Sequence, residues 1–514
     1  MKNFQSNGSS WDSTIESLRI GRISVRYLIL FLFIPLLSIF LHWKIFDREL
    51  SGIHTWRQTQ TAQNILNFYR YDSNILNPSN NVITKEHKLT VFRNEFPVMQ
   101  WTVGMIFHLT GNSVFVIRIC MFVLGLFSIF GMYSWLKNLL NSEITALAGA
   151  WAFTFSPVFY YYTMNPMPDN LALCGTIWSL AYFTRYLKTG SLKHVAWSAF
   201  FLSLAVAAKL PFIVFLGAQG TWLLWSIIRK RFKKLKPEIL FSLIFLVILS
   251  PALLWYAWVI PTWSNGVTSG IFRNTISADT FHAFLRYHLN TMFPVILLGY
   301  VAVLFLFLGF IFAILRKCWK DDRFIWLTGM GLGVLLYFVF EFNMIGIVHD
   351  YYMMPFLPVL YVIVAYGIQQ TIRLDSWGKW LAALLLISMP VVTYKLTKDY
   401  WSEKYMPQVA DVFLNHKELR EAAPATAICI MLNDVSSYAF AYLIDKNGFV
   451  FNDDHLPGGW VDDMIRNYGA TYMYSNSRVV EEDPEVNQYF ENMVMERGNV
   501  RVYKLKGKES EIRE

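Results

Sequence analysis

Charge is scarce in this 514-residue chain. Asp, Glu, Lys and Arg together make up 16% of it, against about a quarter of a typical soluble domain. A chain with so little charge cannot wet its whole surface as an ordinary set of soluble domains would. Cysteine is scarcer still, at four residues. Cys120 and Cys174 fall in apolar runs, Cys318 in a short basic loop and Cys429 alone near the end. None has a CxxC neighbour, so neither a zinc site nor a disulfide framework is indicated. The sequence has no internal repeat and no low-complexity tract. A cleavable signal pattern is also missing, because the polar stretch of about 26 residues before the first apolar run is too long for an n-region.

What is present is apolar: 55% of residues are hydrophobic and 17% aromatic. Eleven segments, roughly 25–44, 114–136, 143–162, 168–187, 193–209, 211–228, 238–260, 293–315, 324–341, 352–372 and 378–394, read as membrane spans at a rise of about 1.5 Å per residue. The net charge of +9 sits in the joints between them. Its longest run, Arg229 to Lys236, lies directly between two apolar segments, where a topology signal belongs and a nucleic-acid site does not. Alternating the spans places Arg19, Arg22 and Arg26, Lys137, then Arg185, Lys188 and Lys193, then that run, then Arg316, Lys317, Lys320 and Arg323, then Arg373 and Lys379, all on one side. That side is expected to be the cytoplasm. Aromatic residues at Tyr160, Tyr161, Tyr162 and Trp263 read as interface belts.

The predicted organisation is a cytoplasmic tail (1–24), a transmembrane module (25–394) whose first extracytoplasmic loop is 45–113, and an extracytoplasmic C-terminal domain (395–514). The loop at 261–292 shares the outer side and carries Arg273 and Arg286. An apolar stretch at 97–110 is short for a span and reads as a helix lying along the interface. In the C-terminal region, 426–432, 448–451, 471–474 and 500–504 read as strands and 407–420 and 459–468 as amphipathic helices, a small α/β domain. The fold class is therefore an α-helical polytopic membrane protein with a small C-terminal α/β domain.

Polar groups near a membrane face are costly unless satisfied or useful. The first loop opens Gly52-Ile53-His54-Thr55-Trp56-Arg57-Gln58, where Arg57 and Gln58 offer donors for an anion and His54 titrates near neutrality and can move a proton. The alternative is a polar loop packed on its neighbours. Glu95, in Asn94-Glu95-Phe96-Pro97, is a candidate base, a candidate metal ligand, or a helix cap. Asp169 opens the fourth span after Pro166 and Pro168, as a cap or as a functional carboxylate. Lys209, in Ala207-Ala208-Lys209-Leu210-Pro211, either snorkels to the outer interface or faces a phosphate. His349, Tyr351 and Tyr352, in Val348-His349-Asp350-Tyr351-Tyr352, line a polar cavity or, for the tyrosines, form an aromatic belt.

Taken in order, HTWRQTQTA, NEFP, PMPDN, AAKLP and HDYYMMPFLP resemble the GT-C superfamily of membrane glycosyltransferases. The nearest branch is the bacterial protein-mannosyltransferase and aminoarabinose-transferase-like group, which is glycosyltransferase family 39-like. The resemblance covers roughly residues 25–394, and the terminal α/β domain fits it. It implies a sugar donor on a polyprenyl phosphate, undecaprenyl phosphate in a bacterium, and transfer with inversion to a lipid, glycan or protein acceptor at the outer face of the inner membrane. It also implies a base for the acceptor proton, and cations or a divalent metal for the leaving phosphate. The chain departs from the family's pattern in one respect: it has no carboxylate from Gly52 to Tyr71. Arg57 and Gln58 stand at the usual acidic positions when Ala62 is aligned with the family's alanine. The candidate bases are thus His54, Asp169 and Glu95, with Arg57, Gln58, Lys209, His349, Tyr351 and Tyr352 for substrate. Rival readings are a transporter or flippase of a lipid-linked substrate, a polysaccharide polymerase or ligase, and an inactive glycan-binding relative. Transporters often show repeats and broken helices at the midplane, and no repeat is found here.

Overall fold

The computed structural model describes residues 19–20, 23–84, 86, 88–231, 233, 235–263, 276–452 and 454–507. Arg22, Lys234, Arg273 and most of the predicted tail lie outside the described residues. The chain forms two compact units. The first comprises residues 1–46, 94–96 and 118–398, and the second 47–93, 97–117 and 399–514.

The first unit is helical. Six described helices are long and apolar enough to cross a membrane: Val25–His42, Val114–Leu140, Leu210–Arg229, Lys236–Thr262, Asp322–Ile345 and Ser376–Thr397. A seventh span arises if Ala278–Leu297 and Val301–Leu315, bent by 105°, count as one. The bend falls at Gly299 and Tyr300, both at positive φ. The other four predicted spans are helices too, but shorter or more polar. They are Glu143–Thr154 with Pro157–Tyr162, then Pro168–Thr189, Leu192–Ala208 and Phe356–Ile372. Their starts follow local chemistry. Ser142 accepts from the Thr145 amide and Asp375 from the Gly378 amide, while Pro157 and Pro168 occupy first-turn positions whose amides would be orphans. Small residues let the helices approach closely: a Cβ on Gly367 would sit 1.9 Å from the Phe305 carbonyl oxygen of the neighbouring helix.

The predicted alternation of basic joints has a geometric counterpart. Arg26 Nη1 lies 2.8 Å from Glu143 Oε1, and Lys137 and Tyr133 reach the same carboxylate. Lys188 Nζ donates to Asn141 Oδ1 at 2.6 Å and Arg323 Nη1 to the Leu139 carbonyl at 2.9 Å. Cations from four separate joints thus meet at one end of the helices. A single missed crossing between them would have sent some to the opposite end.

The tyrosines at 160–162 are not an interface belt. They are 2%, 1% and 0% exposed, because the short Pro157–Tyr162 helix turns inward. Tyr162 donates to Asp350, and the Tyr160 carbonyl faces the His42 ring at 3.1 Å.

The second unit is built on one seven-stranded sheet. Its strands are β1 (Ser79–Ile83), β2 (Leu89–Val91), β3 (Ile428–Met431), β4 (Asn447–Val450), β5 (Ala470–Ser475), β6 (Phe490–Arg497) and β7 (Val500–Leu505), in the spatial order β2-β1-β4-β3-β5-β7-β6. The β1/β4, β3/β4 and β3/β5 pairs are parallel and the others antiparallel. Ile430, Leu432, Val461, Met464 and Met473 fill one core, with Gly458–Tyr468 supplying the helix that covers it. All four predicted strands of the C-terminal region are present. Two strands of the first loop also join this sheet, although the sequence reading grouped that loop with the membrane helices. The helix expected at 97–110 runs Val98–Thr110.

Candidate functional site

In the membrane unit the turn at 164–170 is fixed from beneath. Arg118 is fully buried and its Nη1 donates to the Met164 carbonyl at 2.9 Å and to Asn165 Oδ1 at 2.8 Å. Asn170 Nδ2 donates to the carbonyls of Tyr162 and Asn165 at 2.7 and 2.9 Å. Pro168 then starts the helix and places Asp169 in its first turn, where the helix dipole favours a carboxylate. Asp169 is 1% exposed.

Lys209 occupies a break. The helix before it ends at Ala208, Lys209 is extended (φ −158°, ψ 110°), and the 3₁₀ turn Leu210–Phe215 begins with Pro211 at its second position. The break turns the side chain inward. Nζ lies 3.6 Å from Asp169 Oδ2, the side chain being only 13% exposed. It also lies 5.5 and 4.7 Å from the ring centroids of Tyr351 and Tyr352. Lys209 therefore does not snorkel; a carboxylate and two π faces hold its charge in place. The two tyrosines stack at 4.8 Å on a 3₁₀ turn, Asp350–Met353. That turn is anchored by the Tyr162–Asp350 hydrogen bond, by Tyr337 Oη donating to the Tyr352 carbonyl at 2.9 Å, and by His349 Nδ1 on the Met344 carbonyl at 2.6 Å.

The Asn94–Phe96 strap is tied to the same segment. The Phe96 amide and Tyr256 Oη both donate to the Ala207 carbonyl, at 2.9 and 3.1 Å. Trp255 Nε1 donates to the Asn94 carbonyl at 3.2 Å. Glu95 is 8% exposed, and its neighbour Phe96 is tied to Ala207, two residues before the lysine in sequence. The helix Glu95 was expected to cap has Pro97 as its N-cap. The structure thus brings Asp169, Lys209, Tyr351 and Tyr352 together, sets His349 against the two rings, and ties the backbone around Glu95 to them. Sequence reasoning passed over Arg118, because one arginine in an apolar run looks like a helix-end anchor. It also passed over Glu341, which lies within electrostatic reach of Lys209; an isolated acid inside a span was the signal to find it.

His54, Arg57 and Gln58 belong to the second unit. Gly52, at φ +91°, passes so close to the chain at 400–401 that a Cβ would lie 2.0 Å from the Tyr400 carbonyl oxygen. The Ile53 amide donates to that oxygen at 3.0 Å and Ser51 Oγ to the Trp401 carbonyl at 2.8 Å. His54 follows in the left-handed region (φ 56°) and is the N-cap of the helix Thr55–Arg70. This helix is polar yet buried, and its side chains bond one another and nearby backbone. Gln58 Nε2 donates to the Ile53 carbonyl at 2.8 Å, Arg57 Nη1 donates to Gln60 Oε1, and Gln63 Nε2 donates to the Tyr438 carbonyl at 2.9 Å. His54, Trp56, Tyr405, Gln408, Ser436 and Tyr438 line a cavity of about 440 Å³.

Among the described residues no three His, Cys, Asp or Glu side chains converge as a metal-binding set.

Residues 94–255, which contain NEFP, PMPDN and AAKLP, match the family described as Dolichyl-phosphate-mannose-protein mannosyltransferase. ArnT from Cupriavidus metallidurans, solved bound to undecaprenyl phosphate, shares the fold at TM-score 0.63 and 14% identity, over 94% of this chain and 98% of that one. Its apo form aligns at TM-score 0.61 and 13% identity, over 93% and 98% of the two chains. The Archaeoglobus fulgidus oligosaccharyltransferase, solved with Zn and sulfate, aligns at TM-score 0.55 and 11% identity, over 92% of this chain and 72% of that one. No curated protein matches the chain significantly in sequence.

Proposed function

We infer that this chain is a membrane glycosyltransferase of the GT-C type that moves a sugar from a polyprenyl-phosphate carrier to an acceptor hydroxyl, with inversion. One observation carries the reading. A buried carboxylate and an ammonium stand side by side under two tyrosine rings, inside the segment that matches the mannosyltransferase family. The undecaprenyl phosphate bound by the ArnT of like fold supports a polyprenyl-phosphate donor.

In the proposed step the acceptor oxygen attacks the anomeric carbon from the face opposite the phosphate. The carbon–oxygen bond to phosphate breaks, and its electron pair leaves with the lipid phosphate. The acceptor proton passes to Asp169, beside the ammonium of Lys209. Lys209 stabilises the charge developing on the phosphate, in a site where water is largely excluded. Tyr351 and Tyr352 fix the ammonium; His349 buttresses their rings, and Glu95 orients the acceptor. The basic end of the helices faces the cytoplasm in this reading, so transfer takes place at the outer face of a bacterial inner membrane. His54 as a base and Arg57 and Gln58 as anion donors stand as separate proposals about the second unit.

The test uses purified full-length protein in lipid nanodiscs with a panel of undecaprenyl-phosphate sugars, scored for release of free undecaprenyl phosphate. Release should need an acceptor and fall by about 10²–10⁴ in Asp169→Asn, the range for losing a general base. His54→Ala, Arg57→Ala and Gln58→Ala are scored in the same assay. Full activity of Asp169→Asn and His54→Ala combined would remove both as the base.

A further inference from the structure

The motif His54-Thr55-Trp56-Arg57 builds something of its own within the second unit. The cavity of about 440 Å³ lies in the size range of small-ligand sites. Its walls combine two kinds of group. Trp56 and Tyr438 are half-buried and Tyr405 is exposed, so three aromatic rings stay open toward the space. His54 and Gln408 set polar side chains among them, and the Ser436 hydroxyl on the same wall is spent on Asp434 and on the amides of Tyr438 and Ala439. Flat apolar faces interleaved with neutral donors and acceptors suit a ligand that has an apolar face and a polar rim. A pyranose or furanose ring has that character: its axial C–H face stacks on indole or phenol while its hydroxyls take the polar groups.

The walls are also held rigid. Asp434 spends both carboxylate oxygens on its own loop. Oδ1 accepts from the Ser436 amide at 2.9 Å and from Ser436 Oγ at 2.6 Å, and Oδ2 accepts from the Phe440 amide at 2.8 Å. Burial pushes this carboxyl above its usual range, against those donors. Asn433 and Ser437, on either side, sit at φ 62° and 58°, a conformation a loop keeps only where its surroundings enforce it. On the first-loop helix Arg57 donates to Gln60, and Gln63 Nε2 donates to the Tyr438 carbonyl at 2.9 Å. The polar run of the first loop thus holds the backbone that carries the Tyr438 ring.

We propose that this cavity binds the ring of a neutral sugar. The proposal deepens the transferase reading and rests on it only for the sugar's role, as part of the acceptor or as the sugar being transferred. The experiment is saturation-transfer difference NMR on the full chain in lipid nanodiscs. The probes are methyl hexopyranosides, methyl pentosides, β-linked disaccharides, and a Ser/Thr-rich peptide as the protein-type competitor. At least one sugar should show saturation of its ring protons, reduced at least five-fold by Trp56→Ala or by Tyr405→Ala. Tyr405 lies on the exposed rim, so its variant keeps the test alive should Trp56→Ala fail to fold. Competition by undecaprenyl-phosphate sugar but not by undecaprenyl phosphate assigns the bound ring to the donor, and the absence of such competition assigns it to the acceptor. No saturation with any sugar, equal saturation in both variants, or saturation of the peptide alone overturns the proposal. Sugar saturation in a protein that releases no undecaprenyl phosphate would sink the transferase reading and leave the binding site standing.

Discussion

Removing the ammonium of Lys209 separates a structural ion pair from a phosphate-binding one. Nζ and Asp169 Oδ2 are 3.6 Å apart, a charge pair without a close hydrogen bond. At an effective dielectric near 20 their gross attraction is roughly 4–5 kcal/mol. Much of that offsets the loss of water around two largely buried groups, so the pair itself adds little net stability. Breaking it from one side is different. Lys209→Met removes the cation beside the Asp169 carboxylate, at a cost of about 3–5 kcal/mol, and forfeits about 1–2 kcal/mol of contact with the Tyr351 and Tyr352 rings. Asp169→Asn costs less, because the lysine keeps the two rings and the more distant Glu341. Lys209→Met combined with Asp169→Asn leaves two neutral side chains and should recover most of the lost thermal midpoint. Activity should not follow stability. If the ammonium holds the departing phosphate, Lys209→Met loses about 10²–10³ in kcat, and the double variant stays at least as inactive. The assay is release of undecaprenyl phosphate beside thermal unfolding in the same nanodiscs. The reasoning fails if Lys209→Met stays within about threefold of wild type or if the double variant regains transfer, since either outcome confines the lysine to architecture.

Three more predictions concern the second unit. Gly52→Ala puts a Cβ 2.0 Å from the Tyr400 carbonyl oxygen at φ +91°, which should cost at least about 1–3 kcal/mol and appear as a lower thermal midpoint with faster proteolysis near residue 400. Glu481→Gln should cost about 1–3 kcal/mol, since it takes from Arg501 the carboxylate 2.6 Å from its Nη2, with both side chains at most 4% exposed, and leaves it the more distant Glu496 at 3.6 Å; Arg478→Ala, at a side chain 62% exposed, should change stability by under about 0.5 kcal/mol. Burial disfavours the charge on Asp445, but the forked Arg70 guanidinium, at 2.6 and 3.1 Å, outweighs it and holds the carboxyl below its ordinary 3.8. A depressed folded value gives stability that is complete above the unfolded value and lost as pH falls through the folded one; the deficit of Arg70→Met, under about 1 kcal/mol because both partners are about a third exposed, should therefore be present at about pH 6 and shrink below about pH 4 in acid titrations followed by circular dichroism.

The membrane architecture was legible because two independent signals coincide in it. Apolar length marked the segments, and the alternation of basic joints tested them jointly. The meeting of Arg26, Lys137, Lys188 and Arg323 at one end is what that alternation requires. The strands of the C-terminal core were legible for a similar reason, being runs such as Ile428–Met431 whose side chains are buried on both faces. Two kinds of strand escaped. Phe490–Arg497 is an edge with Glu491, Asn492, Glu496 and Arg497 in it, and such charges blunt an edge and erase its apolar pattern together. Ser79–Ile83 begins Ser-Asn-Asn. Its place in the sheet comes from long-range bonds, such as Asn67 Nδ2 to the Ser79 carbonyl at 3.0 Å and Asn81 Nδ2 to the Lys446 carbonyl at 3.2 Å, and no local pattern announces those.

The site shows where a reading of motifs one at a time runs out. Each motif had a bland rival, and at Lys209 the rival was snorkelling, which suits a lone lysine at a helix end. The decision depended on residues 40, 142 and 143 positions away. Lys209 turns inward because Asp169 and the rings of Tyr351 and Tyr352 wait there, and Asp169 stands where it does because a buried Arg118 grips the turn before it. An arginine with no exposure at all is expensive to bury, and here its Nη1 donates to a backbone carbonyl and to a side-chain amide oxygen of one turn. That turn leads into the carboxylate on which the proposed chemistry depends. Replacing Arg118 with an apolar side chain of similar volume is therefore the change most apt to leave the helices intact while releasing Asp169 from its place beside Lys209.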